Sequence, residues 1–314
     1  MAIARRPLLA ALLMPAAAAA QDSALRIVVP FAPGSGTDNT ARVFAEAMRT
    51  ATGRTVMVDD RPGGGTSIGS LEVSRARPDG NTILYTTGGH TTNAVLMRNL
   101  PYDPVAGFTA LTMLLKAPGF GLIVAGNSRF TSLRQFLDTA RAEPGKLTYG
   151  SSGVGNTTHV VGALFCRSAG VELVHVPYKG TPIADVLAGT IDCLFVSPSL
   201  VMPQLQDGRM RALSVSGNER VPQLPDVPAF GELGIDAHIP AWSGFWGPPG
   251  LPPAVVRSLY EQLSRTARTP AFETYTRDNG GEMVLMPPEP FAAYVASEIA
   301  RYRQILPALG IQMD

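Results

Sequence analysis

The sequence predicts an α/β chain of two domains, each a mixed sheet flanked by helices, with a cleft between them. Three observations predict it. Strand-like and helical runs alternate through most of the 314 residues. One strand–loop–helix passage occurs twice, at residues 25–46 and again at 147–165. Two α/β series are then followed by trailing helices, which suggests a first domain completed by the C-terminal part of the chain. Crossings are expected near residues 119–126 and 237–244. That assigns 21–119 plus 242–314 to a discontinuous first domain and 120–241 to a second. Two crossing strands make a hinge.

The elements follow in order. Residues 25–30 are an apolar strand and 38–51 a helix, with Asp38 as N-cap and Val43, Phe44, Ala47 and Met48 at helical spacing. Gly53 stops that helix. A strand at 55–59, a helix at 67–76 and a strand at 82–86 continue the βαβ rhythm. The second series has an apolar run at 122–125 and a helix at 133–142, capped by Thr131 or Ser132. Strand 147–149, helix 158–168, strand 173–176, helix 182–187 and strand 191–196 come next, then a short helix at 200–206 and strand 210–215. Residues 217–240 are proline-rich and irregular, 241–247 resume a strand, and 252–267 and 287–306 read as long surface helices.

Composition narrows the function classes. Charged residues are 16% and hydrophobic residues 45%, a globular balance. Lys116, Lys146 and Lys179 are the lysines, and the arginines are scattered. No basic stripe for nucleic acid or an anionic membrane is present. At the N-terminus, Arg5-Arg6, the apolar run 8–14 and Ala18-Ala19-Ala20 fit a signal peptide over residues 1–20. Its removal leaves 24 of the 26 basic residues against 25 acidic ones, a net −1. The arginine pair fits a twin-arginine signal only loosely, and the general secretory route fits better. An exported chain permits a disulfide. Spacing does not bring Cys166 to Cys193, and two small buried thiols is the preferred reading.

The repeated passages carry the candidate chemistry. The first loop holds Phe31, Ala32, Ser35, Gly36, Thr37 and Asp38; the second holds Ser151, Ser152, Gly155, Asn156, Thr157 and His159. Each turns small residues and backbone N–H groups toward a helix N-terminus, where an anion is favoured. The first lies at the C-terminal end of the first strand, where open α/β sheets bind ligands. Two such loops suggest two jaws, each holding one end of an acidic ligand. Gly63-Gly-Gly65 fits neither a dinucleotide fingerprint nor a P-loop. The histidines have no metal-ligand spacing with each other or with the cysteines. With no G-x-S-x-G elbow, catalysis is not expected. No metal and no cofactor is expected either.

Ordered motifs then extend along nearly the whole mature chain: Val28-Val-Pro-Phe-Ala-Pro-Gly-Ser-Gly-Thr-Asp38, Asp60-Arg-Pro-Gly-Gly64, Leu100-Pro-Tyr-Asp-Pro104, His175-Val-Pro-Tyr-Lys-Gly180 and Leu224-Pro-Asp-Val-Pro228 among them. With these the sequence resembles the substrate-binding proteins of tripartite tricarboxylate transporters, the Bug receptors. The resemblance implies a type II-like periplasmic binding protein, monomeric, that closes on a small mono- or dicarboxylate and delivers it to a membrane permease of two subunits. It implies that Thr86, Thr87 and His90, with Asn93, line the cleft, and that Tyr178 and Lys179 contribute. The chain departs from the family pattern at Ser35, where a second glycine is usual, and at Val196-Ser197, where many members have an aspartate. Losing that acid removes a partner for an ammonium, so an amino-acid ligand is disfavoured. His90 replaces a usually apolar or small residue and is expected to tune specificity. Two other classes stand beside the receptor reading: a periplasmic sensor that signals to a membrane protein, and, more distantly, a secreted hydrolase.

Overall fold

The computed structural model describes residues 24–117 and 119–311; the expected signal peptide lies outside them. The first sheet begins with β1 (Leu25–Val29), β2 (Val56–Asp60) and β3 (Thr82–Thr87), joined by α1 (Gly36–Thr52) and α2 (Ser67–Ser74). All three run parallel, with β1 in the middle. After α3 (Gly89–Leu96), β4 (Thr109–Ala117) runs directly toward the second sheet. Late in the chain, β10 (Ala241–Gly247) returns between β3 and β4, antiparallel to both. β11 (Glu282–Met286) closes the sheet on the outer edge of β4, giving the order β11-β4-β10-β3-β1-β2.

The second sheet repeats the plan. Its order is β7-β6-β8-β5-β9, from β5 (Gly121–Ala125), β6 (Thr148–Ser151), β7 (Val174–Pro177), β8 (Cys193–Val196) and β9 (Met210–Val215), joined in turn by α4 (Leu133–Ala142), α5 (Thr157–Ala169), α6 (Ile183–Leu187) and α7 (Met202–Gln206). β7, β6 and β8 are parallel with β6 central, and β5 is antiparallel to its neighbours. β1 and β6 therefore hold equivalent places. Each lies where the strand order reverses, the point at which α/β sheets present a crevice. The fold is the expected one: two mixed sheets, flanked by helices and linked by crossing strands. The two crossings pair where they leave the first sheet, Ala117 with Ala241 and Lys116 with Trp242. The first is tied to the end of β9 by the Ser216 N–H on the Phe120 carbonyl at 2.7 Å and the Phe120 N–H on the Ser216 hydroxyl at 2.8 Å.

Cores form on both sides of each sheet. On one side of the first, Ala41, Phe44 and Met48 of α1 pack with Phe245, with Leu259 and Leu263 of α8 (Pro253–Ala267) and with Phe272 of α9 (Pro270–Asp278). On the other, α10 (Pro288–Ile305) packs Phe291, Val295 and Ile299 against Trp242 and Trp246. The end of α10 leaves that core: Tyr302 and Leu306 are buried with Phe165, Phe195 and Phe230 of the second sheet.

Several local expectations change. α1 starts two residues earlier than read, with Ser35 rather than Asp38 as N-cap. α5 (Thr157–Ala169) is capped by Asn156. β4 is a continuous strand, and α3, α9 and β11 were not foreseen. Cys166 and Cys193, in contrast, are free thiols as preferred, Cys193 buried and Cys166 partly so. No helix among the described residues is long and apolar enough to cross a membrane.

Candidate functional site

The loop after β1 is fixed by a reciprocal cap. The Ser35 hydroxyl accepts from the Asp38 N–H at 3.2 Å, and the Asp38 carboxylate accepts from the Gly34 N–H at 2.7 Å. This is a variant of the capping box, in which the third helical residue reaches back past the cap to the residue before it. The other Asp38 oxygen pairs with Arg42 at 2.6 Å, and Arg42 also reaches Asp60 at 2.5 Å. Asp38 is thus buried behind the loop and committed to it. The N–H groups of Gly36 and Thr37 have no partner among the described residues, as a helix start requires. Gly36 also lets the second domain approach: a Cβ there would stand 2.5 Å from the tip of Leu200.

The loop after β6 is built the same way. Asn156 Oδ1 accepts from the Thr158 N–H and hydroxyl, both at 3.1 Å. The Thr158 hydroxyl accepts from the Ser152 N–H at 2.9 Å. The Thr157 N–H is left without a partner among the described residues. Across the gap, the Thr92 hydroxyl of α3 donates to the Gly155 carbonyl at 2.9 Å, so the two sheets' loops already touch.

Both loops border one cavity of about 230 Å³. From the expected set, Phe31, Ala32, Ser35, Gly36, Thr37, Thr87, Ser152, Asn156, Thr157 and Ser197 line it. Asp38, Thr86, His90, Ser151, Gly155, His159 and Tyr178 do not. Most of these displacements have a physical reason. Thr86 alternates with Tyr85 and Thr87, which take the cavity side of β3. Ser151 is spent on the Gly153 carbonyl and on His175 Nε2 at 2.6 Å. His90 is fully buried among Tyr102, Phe108 and Trp246, with Nε2 2.7 Å from the Pro104 carbonyl. Burial pushes its pKa down to about 4. His159 Nδ1 accepts from the Gly155 N–H at 3.0 Å, and its ring stacks on His175 with centroids 3.7 Å apart. Burial, then the nearby His175, lowers it to about 3. It braces the loop from behind and faces a second cavity beside Cys166, Arg167 and Leu309.

Sequence reasoning missed part of the wall. Tyr85 lines the cavity with its hydroxyl 2.7 Å from Ser243 Oγ, and Thr40 with its hydroxyl 3.1 Å from Tyr275. Period-two alternation from Thr87 would have found Tyr85; nothing local points to Tyr275 or Asn279. The charged residues of the lining are Lys116 and Lys179, and no Asp or Glu is among them.

Two α/β lobes with an acid-free cavity, lined by apolar walls and small polar groups, at their facing switch points define a solute-binding protein of the two-domain type. The chain belongs to the tripartite tricarboxylate transporter family receptors (TctC), whose family model matches residues 40–311. This is a family of binding proteins and not of enzymes. The UPF0065 protein of the tcbD-tcbE intergenic region of a Pseudomonas species is 34% identical over 283 residues, 89% of this chain and 84% of that protein. BugT of Bordetella pertussis is 25% identical over 294 residues, covering 92% and 90%. Among solved structures, the periplasmic binding protein BugD superposes with a TM-score of 0.86 at 30% identity, covering 92% of this chain and 98% of that one. MatC from Rhodopseudomonas palustris, with bound malate, has a TM-score of 0.84 at 27% identity, covering 90% and 98%. A second R. palustris protein, with adipate, has a TM-score of 0.86 at 29% identity, covering 92% and 98%.

Proposed function

We propose that the chain is an exported receptor that captures a small mono- or dicarboxylate between its two domains and hands it to a two-subunit membrane permease. The observation that carries this reading is the pair of helix N-termini, one from each sheet, bordering a cavity whose charged residues are two lysines. Each N-terminus stabilises an anion by about 0.3–1 kcal/mol, and by about 2 where partly buried. Each hydrogen bond to a charged group adds about 1.5–3 kcal/mol. Four or five together reach the about −8 kcal/mol of a micromolar complex after the cost of association. Malate and adipate in the two R. palustris relatives support the ligand class. The family description supports the permease partner. The signal-like N-terminus and the periplasmic relatives support export and a place in the periplasm. Residues 21–119 plus 242–314 and residues 120–241 would be the two bodies that close. With no acid in the lining, a ligand ammonium has no ionic partner, so amino acids should bind less well than plain carboxylates.

Calorimetry of the purified protein with malate, succinate, adipate, aspartate and glutamate tests this. The expected result is single-site micromolar binding of at least one plain carboxylate, tighter than either amino acid. Absence of heat and of thermal stabilisation with all five would sink the proposal, and tightest binding of aspartate would sink its specificity argument.

A further inference from the structure

Glu298 lies within α10, 4% exposed. A carboxylate there loses several kcal/mol of hydration unless other donors replace the water. Four side chains do so. The Trp242 indole N–H donates to Oε2 at 2.9 Å, and the Thr91 hydroxyl stands 2.9 Å from the same oxygen. The phenols of Tyr294 and Tyr302 donate to Oε1 at 3.1 Å each. Thr91 also reaches the Gly88 carbonyl at 2.7 Å, so its one proton serves two acceptors. Cations stand one ring removed. Lys116 lies 5.6 Å from the Tyr294 ring centroid and Arg301 5.1 Å from that of Tyr302.

The donors come from three parts of the chain: α10 itself, the first turn of α3, and the start of β10 where the chain crosses back. Of the four, Trp242 lines the cavity. A Cβ on Gly88 would lie 3.4 Å from Trp242 Nε1 and 3.2 Å from Thr157 Cγ2. The indole edge therefore stands where both walls of the cleft meet. Its ring neighbours Phe291 and Tyr294 lie edge-on at 5.5 and 6.4 Å. Such contacts fill space, whereas a hydrogen bond to a buried carboxylate fixes the direction of the N–H.

We propose that Glu298 is a positioning residue for the ligand cleft: its carboxylate holds the Trp242 indole as the hinge-side wall of the cavity and, through Thr91, ties that wall to the Gly88 turn. Glu298 does not line the cavity, so its effect runs through Trp242. The proposal rests on reading the cavity as the ligand site.

Indole proton–nitrogen NMR tests it without any ligand. The chain has two tryptophans, and Trp246→Phe assigns the signals. In the unaltered protein the Trp242 indole proton should exchange with water at least about tenfold more slowly than that of an exposed indole. Glu298→Gln replaces an acceptor by a donor and should speed that exchange about tenfold, with the far-UV spectrum unchanged. Glu298→Asp keeps the charge but withdraws it by one methylene, and should fall between. Fast exchange in the unaltered protein overturns the proposal, whether or not the variants fold. Unchanged exchange in a folded Glu298→Gln variant does the same.

A second measurement uses malate and adipate as probes. Glu298→Gln and Trp242→Phe should each weaken binding about tenfold, and the double variant should lose no more than either. A product of effects, about hundredfold, would overturn the route through Trp242. If the unaltered protein binds neither probe, the carboxylate reading loses its support from them, and the indole exchange still decides the positioning role.

Discussion

The Ser35 hydroxyl holds the Asp38 N–H and the Asp38 carboxylate holds the Gly34 N–H at the start of α1, so their polar atoms serve the loop before they serve a ligand. Asn156 does the same work for α5. What remains for a carboxylate is the backbone N–H of Gly36, Thr37 and Thr157 and the cavity-lining hydroxyls beside them. Thr157→Val removes a cavity-lining hydroxyl that donates weakly to Asn156 Oδ1 at 3.4 Å, and leaves the two bonds from Thr158 to that oxygen in place. It should weaken carboxylate binding about tenfold, within the worth of one charge-assisted hydrogen bond, and leave the melting temperature unchanged. Calorimetry paired with thermal melting checks both halves. The small-residue loops were legible in sequence because glycine, serine and threonine next to an amphipathic run have few other uses. The depth of a side chain was not: His90 and His159 look alike as polar loop neighbours, yet one is sealed in an aromatic cluster and the other braces its loop from behind.

α1 shows how burial holds such a loop in place. Phe44 meets Phe245 at 4.9 Å between centroids and Phe272 edge-on at 5.0 Å, and is fully buried. Phe44→Ala should cost about 3–5 kcal/mol of stability, read from urea unfolding, through lost contact and the space left behind. The loss should appear in the ligand-free protein, which distinguishes it from a binding defect. Helices with a clean apolar stripe, such as α1, α8 and α10, were readable to within two residues at each end. α3 was not, because Gly-His-Thr-Thr-Asn is a weak helix sequence held by tertiary hydrogen bonds from Thr91, Thr92 and Asn93. β11 was hidden for a related reason: it is an edge strand with register shifts, and Leu285 sits at a positive φ of 48°.

Both sheets fold around histidines that are held neutral. Burial lowers His90 and His175 to about 4 and, with His175 beside it, His159 to about 3. In an unfolded chain they take up protons below about pH 6.5, while the folded chain resists until pH 3–4. The unfolded state therefore binds more protons in that window, and stability falls as pH drops through it. A fully buried histidine such as His90 contributes about 1.4 kcal/mol per pH unit there. His90→Gln should flatten the slope of unfolding free energy between pH 6.5 and 5 by about that amount. Urea titrations at stepped pH measure the slope directly, and an unchanged slope would show that His90 is protonated in the folded state.

The end of α10 ties these levels together. β1, near the start of the described chain, belongs to the first sheet, whereas Tyr302 and Leu306 are seated in the core of the second. α10 thus bridges the two cores, its first turns packed on one sheet and its last on the other. A donor fluorophore fused ahead of β1 and an acceptor fused behind α10 would turn any movement of the second core relative to β1 into a change in energy transfer. With closure on a carboxylate as proposed, such a pair of labels would report occupancy as light, and an unchanged signal on ligand binding would show that α10 holds the two cores at a fixed distance.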